Sequence, residues 1–242
     1  FVTSHVAMLS PQQASPRQAT SPITSQAERE QALRDYKLTI EYKHLKQHAP
    51  GGVYLLPSFD DLRLFHGVIF VRRGPYMNGI FKFQLRLPAK YNDSNTWPVI
   101  IFSSSVLNPH VNARSGELDV RSAYAAWDPH KHYLVTVLTF LKKIFYMKRD
   151  NFVAIKPESA ANRDALEAAL SDPVKYRKSI EACVQESQNI LYVADSSGQS
   201  MFSEEQVCHQ VLRELLLQNV NNPASVSRSS VIEMVKEAEH SK

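Results

Sequence analysis

Leu107-Asn108-Pro109-His110-Val111-Asn112-Ala113-Arg114-Ser115-Gly116-Glu117-Leu118-Asp119-Val120-Arg121-Ser122-Ala123-Tyr124-Ala125-Ala126-Trp127 lies near the middle of the 242-residue chain. It is loop chemistry following an apolar strand. Pro109 fixes its own φ and offers no amide donor, and Gly116 admits a left-handed backbone without a Cβ penalty. Trp127, in a Trp-Asp-Pro turn, reads as a packing anchor. The stretch contains no thiol.

Upstream, four apolar runs are separated by turn signals. Val53 to Pro57 is a short strand ended by a proline that cannot donate to a ladder. Leu62 to Val71 is dense in β-branched and aromatic residues, as strands are. Arg72-Arg73-Gly74-Pro75 and Asn78-Gly79 are turn residues. Ile80 to Leu87 follows and alternates in its second half, so one face is buried and one wet. After Asn92-Asp93-Ser94-Asn95, Trp97 to Phe102 supplies the last strand. Turns this short dictate an antiparallel meander, because parallel neighbours need crossovers of about a dozen residues.

Before the strands lies a helix-forming segment from Gln26. Leu33, Tyr36 and Ile40 mark one helical stripe, and Leu38, Tyr42 and Leu45 a second. Ser25 with Glu28 has the spacing of a capping box, and Pro50-Gly51-Gly52 stops the helix. Downstream, His132 to Met147 reads as an amphipathic helix, with Leu134, Val137, Leu138, Leu141, Ile144 and Phe145 on one face. Pro157 suits a first helical position, and a further helix is expected over Pro173 to Tyr192. The class is therefore α+β: an N-terminal helix, a four-stranded antiparallel meander and C-terminal helices.

Residues 1–25, with Ser10-Pro11, Ser15-Pro16 and Ser21-Pro22, hold too little apolar surface to offset the entropy of ordering and read as a tail. Residues 26–195 read as one domain and 196–242 as an extension with one or two amphipathic helices. Val207, Val211, Leu212, Leu215, Leu216 and Leu217 form an apolar run. It either packs back on the domain or docks on a partner. Val231 and Val235 belong to a second segment that would be marginal alone, a candidate for folding on a partner. The chain opens at Phe1 rather than Met, which reads as a fragment and leaves N-terminal targeting open.

Composition narrows the function classes. Of the residues 43% are hydrophobic and 21% charged, with a formal net charge of +4, which is no argument for nucleic acid. No apolar run approaches the ~18 residues of a membrane span. Cys183 and Cys208 make no disulfide framework, and Cys208-His209 lacks the partner pair that zinc would need. No metal or cofactor is expected. The glycine-rich loops of nucleotide sites and the Gly-x-Ser-x-Gly elbow are missing. Ser103-Ser104-Ser105 with His110 and Asp119 is the one triad-like grouping, a chance association by this reading. His130 and His132 read as loop and capping residues.

Helix, four strands and an Asn-Pro-His loop is the order of ubiquitin-conjugating (E2) enzymes, and the opening stretch resembles their active-site segment. In that family a strand ends in His-Pro-Asn, a loop Gly follows, then the catalytic Cys, then a Trp. Here the tripeptide is Asn108-Pro109-His110, with Gly116 and Trp127 after it. Aligned on Gly116, the Cys position falls on Asp119; anchored on the tripeptide, it falls on Leu118. Lys156-Pro157-Glu158-Ser159-Ala160-Ala161 resembles the family segment that opens the next helix. More specifically, Gly67-Val68-Ile69-Phe70-Val71-Arg72, Gly79-Ile80-Phe81-Lys82-Phe83 and Ser115 to Val120 are similar to the Fused-toes (AKT-interacting protein) family, over about Tyr36 to Tyr192.

An E2 carries ubiquitin as a thioester, which needs a thiolate nucleophile and the tripeptide Asn as oxyanion donor. An acyl-Asp119 would be a mixed anhydride open to water, and His110 stands where that Asn is expected. Cys183 and Cys208 are expected far from the groove. The resemblance therefore implies a non-catalytic E2 variant, with Asn108, Pro109, His110, Gly116 and Asp119 as a vestigial groove. It further implies a cytoplasmic adaptor bound to a Hook-family coiled-coil protein and an FHIP-family protein, joining endosomal and other vesicle cargo to dynein–dynactin on microtubules. A link to AKT kinase is implied too. The alternative reading is a ubiquitin-binding module or a cofactor of an active E2.

Overall fold

The computed structural model describes residues 25–193, together with 202, 209, 210, 213, 214 and 217. Val207, Val211, Leu212, Leu215, Leu216, Val231 and Val235 lie outside the described residues, as does Cys208.

Helix α1 runs Gln26–His48 and opens on the expected capping box: the Glu28 amide donates to Ser25 Oγ at 3.2 Å, and the Ser25 amide donates to Glu28 Oε2 at 3.1 Å. Strands β1 (Val53–Pro57), β2 (Leu64–Phe70), β3 (Ile80–Arg86) and β4 (Val99–Phe102) pair antiparallel in the order β1-β2-β3-β4. The register aligns Val53 with Ile69 and Phe81, and Phe83 with Phe102, so Phe65, Ile69, Phe81, Phe83, Leu85, Ile100 and Phe102 share one buried face. Gly67 sits on that face because the Phe83 ring lies on it; a Cβ at Gly67 would stand 2.2 Å from a ring carbon.

Helix α2, Leu134–Ile144, lies in the core, with Leu134, Val137, Leu138, Phe140, Leu141 and Ile144 all buried. Phe145 packs edge-on to Phe102 and Tyr76, sealing helix to sheet. Short α3 (Arg149–Val153), α4 (Arg163–Ser171) and α5 (Pro173–Asn189) follow. Asn162 and Asp172 accept amide bonds from the first turns of α4 and α5, the role such side chains favour at helix starts.

Three expectations are corrected. Of the two α1 stripes only Leu38 and Leu45 are buried, whereas Leu33, Tyr36 and Ile40 are 54%, 64% and 40% exposed. Both stripes have the helical period, and period alone does not say which face meets the domain. Lys156 to Ala161 does not open the next helix. Pro157–Ser159 makes a single 3-10 turn, and α4 starts afresh after Asn162. The outward face of β3 is not simply wet, since Lys82 is buried. Among the described residues no helix is long and apolar enough to cross a membrane.

Candidate functional site

The loop after β4 is held to the core by Asn108, the first residue of its Asn-Pro-His tripeptide. Asn108 is fully buried; its Nδ2 donates to the Ile144 carbonyl at 3.0 Å, and its Oδ1 accepts from the His110 amide at 3.0 Å. One side chain thus ties the turn to the end of α2 and shapes the turn itself. The Pro109 carbonyl accepts from the Asn162 amide at 3.1 Å, which brings the start of α4 against the loop. Tyr76 and Tyr176 both donate their hydroxyls to the Leu107 carbonyl, Tyr176 at 3.2 Å. Burial raises both phenols, Tyr176 to about 12, so both stay protonated donors.

Gly116 has φ +69°, and a Cβ there would lie 2.8 Å from the Phe102 carbonyl oxygen. Only glycine suits that corner. From it the chain returns beside β4, with Glu117 bridging Ile101 and Leu118 bridging Val111. Alternation then separates the two candidate nucleophile positions. Leu118 is 1% exposed and points into the core, while Asp119 is half-buried beside the tripeptide, its amide donating to the His110 carbonyl at 2.8 Å.

Asp119 has a local task. Its Oδ1 accepts from the Ser122 amide at 3.2 Å, capping the one-turn 3-10 helix Val120–Ser122. The Ser122 hydroxyl donates to the Asp119 carbonyl at 2.7 Å, and His110 Nδ1 stands 2.9 Å from Ser122 Oγ. The hydroxyl's single proton is committed to Asp119, so His110 Nδ1–H is the donor in that pair. An imidazole donating to a serine is not acting as its base. The His110 ring also lies edge-on to Phe140 at 5.5 Å. Burial lowers its pKa, Asp119 opposes the shift and Lys143 adds to it.

Ser122 was missed by sequence reading, which named Ser103, Ser104 and Ser105 instead. The Asp-x-x-Ser spacing of a cap was the available signal. Cys183 also corrects an expectation. It is 8% exposed, and its thiol engages Ser105 and the Leu107 backbone, close under the tripeptide rather than far from it. Burial pushes that thiol's pKa up, away from thiolate character. His132 accepts from the Asp128 amide at 3.0 Å and packs against Tyr124 and Trp127. Trp127 is buried, with its Nε1 donating to Asn92 Oδ1 at 2.6 Å, the anchor expected of it. Among the described residues no three His, Cys, Asp or Glu side chains gather as a metal would require.

The model of the ubiquitin-conjugating enzyme family matches residues 37–184, which is helix, meander, loop and most of α5. The chain belongs to that family. Among its relatives, the protein named AKTIP homolog from Nematostella vectensis is 36% identical over 160 residues, 66% of this chain and 51% of the relative. The crossbronx homolog of Anopheles gambiae is 32% identical over 163 residues, 67% of this chain and 71% of the relative. The AKT-interacting protein of Macaca fascicularis is 36% identical over 126 residues, 52% of this chain and 42% of the relative. The chain spans about half the length of the sea-anemone relative. These relatives form the Fused-toes group within the family, and the resemblance of this chain to that group is borne out.

Proposed function

We propose that this protein is a non-catalytic member of its family that works as an adaptor. The observation that carries this reading is the condition of the two candidate nucleophile positions. Leu118 is sealed in the core, and the Asp119 carboxylate is engaged as a helix cap. The Cys183 thiol, the one described cysteine, is buried with a raised pKa. His110, in place of the oxyanion donor, is spent on Ser122 and Phe140. Ubiquitin carriage needs an accessible thiolate and a free donor, and this loop offers neither.

The groove then serves shape, and the working surface lies elsewhere on the protein. By kinship with the Fused-toes group, the protein joins a Hook-family coiled-coil protein and an FHIP-family protein in a complex that connects endosomal or vesicle cargo to dynein–dynactin. Its location is cytoplasmic, on vesicles and microtubules through those partners. The names AKTIP homolog and AKT-interacting protein, borne by two relatives, motivate AKT kinase as a further partner.

The experiment is co-elution from a sizing column of the full chain with a Hook C-terminal coiled coil, with and without the third subunit. A shared peak is expected in at least one mixture. Separate peaks in both, with labelled ubiquitin instead shifting the protein's resonances, would replace the adaptor reading by the ubiquitin-binding one.

A further inference from the structure

The strand register gives the sheet a second face, turned away from α2. It carries Tyr54, Leu56, His66, Val68, Phe70, Lys82, Gln84 and Ile101, with Tyr54 beside Val68 beside Lys82, and Leu56 beside His66 beside Gln84. Its margins are open: Tyr54, Leu56 and Ile101 are 56%, 59% and 38% exposed. Its centre is shut, with His66 and Lys82 at 4% and 7%. An imidazole and an ammonium buried mid-face require a covering layer that also satisfies them.

Two contacts show where the cover comes from. Lys82 Nζ donates to the carbonyl of Val193, in the chain just past the end of α5, at 2.9 Å. Phe202 meets Phe70 edge-on, with ring centroids 6.2 Å apart, and lies 5.4 Å from Lys82 Nζ. Chain leaving α5 is therefore pinned to this face at Val193 and again at Phe202.

We propose that the outer face of the sheet is a docking surface for the chain's own C-terminal segment, from Val193 through the apolar run at 207–216, with Phe202 as its anchor. Residues 209, 210, 213, 214 and 217 are helical and exposed. In the sequence, Val211, Leu212, Leu215 and Leu216 fall at the i, i+1, i+4 and i+5 spacing of an amphipathic apolar stripe. Apolar stripe and half-open apolar sheet face complement each other. Charge agrees as well. Glu204-Glu205 follow Phe202 in sequence, while Phe70 lines a cleft with Arg72, Arg73 and Lys142 that has no acidic side chain among the described residues. On this reading the apolar stripe serves the protein itself, while the exposed described residues of the segment are His209, Gln210, Arg213, Glu214 and Leu217.

A double-mutant cycle on the full chain tests the seat. Phe202→Ala should raise the unfolding equilibrium constant in urea about fivefold, as for an aromatic pair with its burial, and less than twofold in a Phe70→Ala background. In the same variant, resonances of Tyr54, Leu56 and His66 should shift at every protein concentration. Additive losses, or shifts confined to the sequence neighbours of residue 202, overturn the proposal. So does coupling that disappears on dilution, which would make the occupant a second copy.

Discussion

The Glu41 carboxylate of α1 accepts a hydrogen bond from the backbone amide of Leu134, the first residue of α2, at 3.0 Å. The same Oε2 accepts the Tyr91 hydroxyl at 3.0 Å. One side chain therefore fixes the opening helix, the loop after β3 and the start of the core helix. A carboxylate at a helix N-terminus also suits the dipole.

Glu41→Leu removes the acceptor from two buried donors and should cost about 2 kcal/mol in urea unfolding. Glu41→Gln keeps an acceptor and should cost far less. Burial raises the Glu41 pKa above 4.5, with the two hydrogen bonds opposing. The folded state thus holds the proton more tightly. Its contribution is present below pH 4.5 and is lost as pH rises through the folded pKa, so the Gln variant should lack that acid-side gain.

His110 has the opposite sign. Its folded pKa lies below 6.5, chiefly through burial. The unfolded chain binds the proton more readily, so this contribution is present above pH 6.5 and is lost as pH falls through the folded pKa. His110→Gln should flatten the decline in stability between neutral pH and about pH 5, read as urea midpoints across that window.

Asn108→Ala leaves the Ile144 carbonyl and the His110 amide without their partner in a fully buried site. The expected loss is about 3 kcal/mol, at the upper end for single polar deletions. Urea denaturation measures it, and a loss under about 1 kcal/mol would mean water has replaced the side chain.

Asp119→Asn should be nearly neutral, because the amide oxygen can still accept from Ser122, whereas Asp119→Ala should cost about 1 kcal/mol. Equal losses in both variants would show that the charge, not the cap, is what the site uses. Thermal melts of the pair make the comparison.

Gly116→Ala places a side chain at φ +69° and a Cβ 2.8 Å from the Phe102 oxygen. A loss of about 2 kcal/mol is expected, from left-handed backbone plus contact. An unchanged melting temperature would contradict the corner described above.

The meander was legible because each strand is bounded locally, by Pro57, by Gly74-Pro75 and Asn78-Gly79, and by Pro88. The groove loop was legible because Pro109, Gly116 and Trp127 act through backbone geometry and packing that their own chemistry announces. What escaped was long-range. The burial of Leu38 but not Leu33 depends on where α1 meets α2 and the rest of the domain. Cys183 reaches Leu107, and Ser122 reaches His110, only once the chain has folded. The covered state of Lys82 depends on chain more than a hundred residues later. Periodicity describes an element and leaves its neighbour unnamed.

The central claim, that this loop no longer carries ubiquitin, is tested most directly by charging. The full chain would be incubated with ubiquitin-activating enzyme, ATP and ubiquitin, then run on a non-reducing gel. The account predicts no reductant-sensitive adduct. A band one ubiquitin heavier that reductant removes, and that Cys183→Ser or Cys208→Ser abolishes, would contradict it.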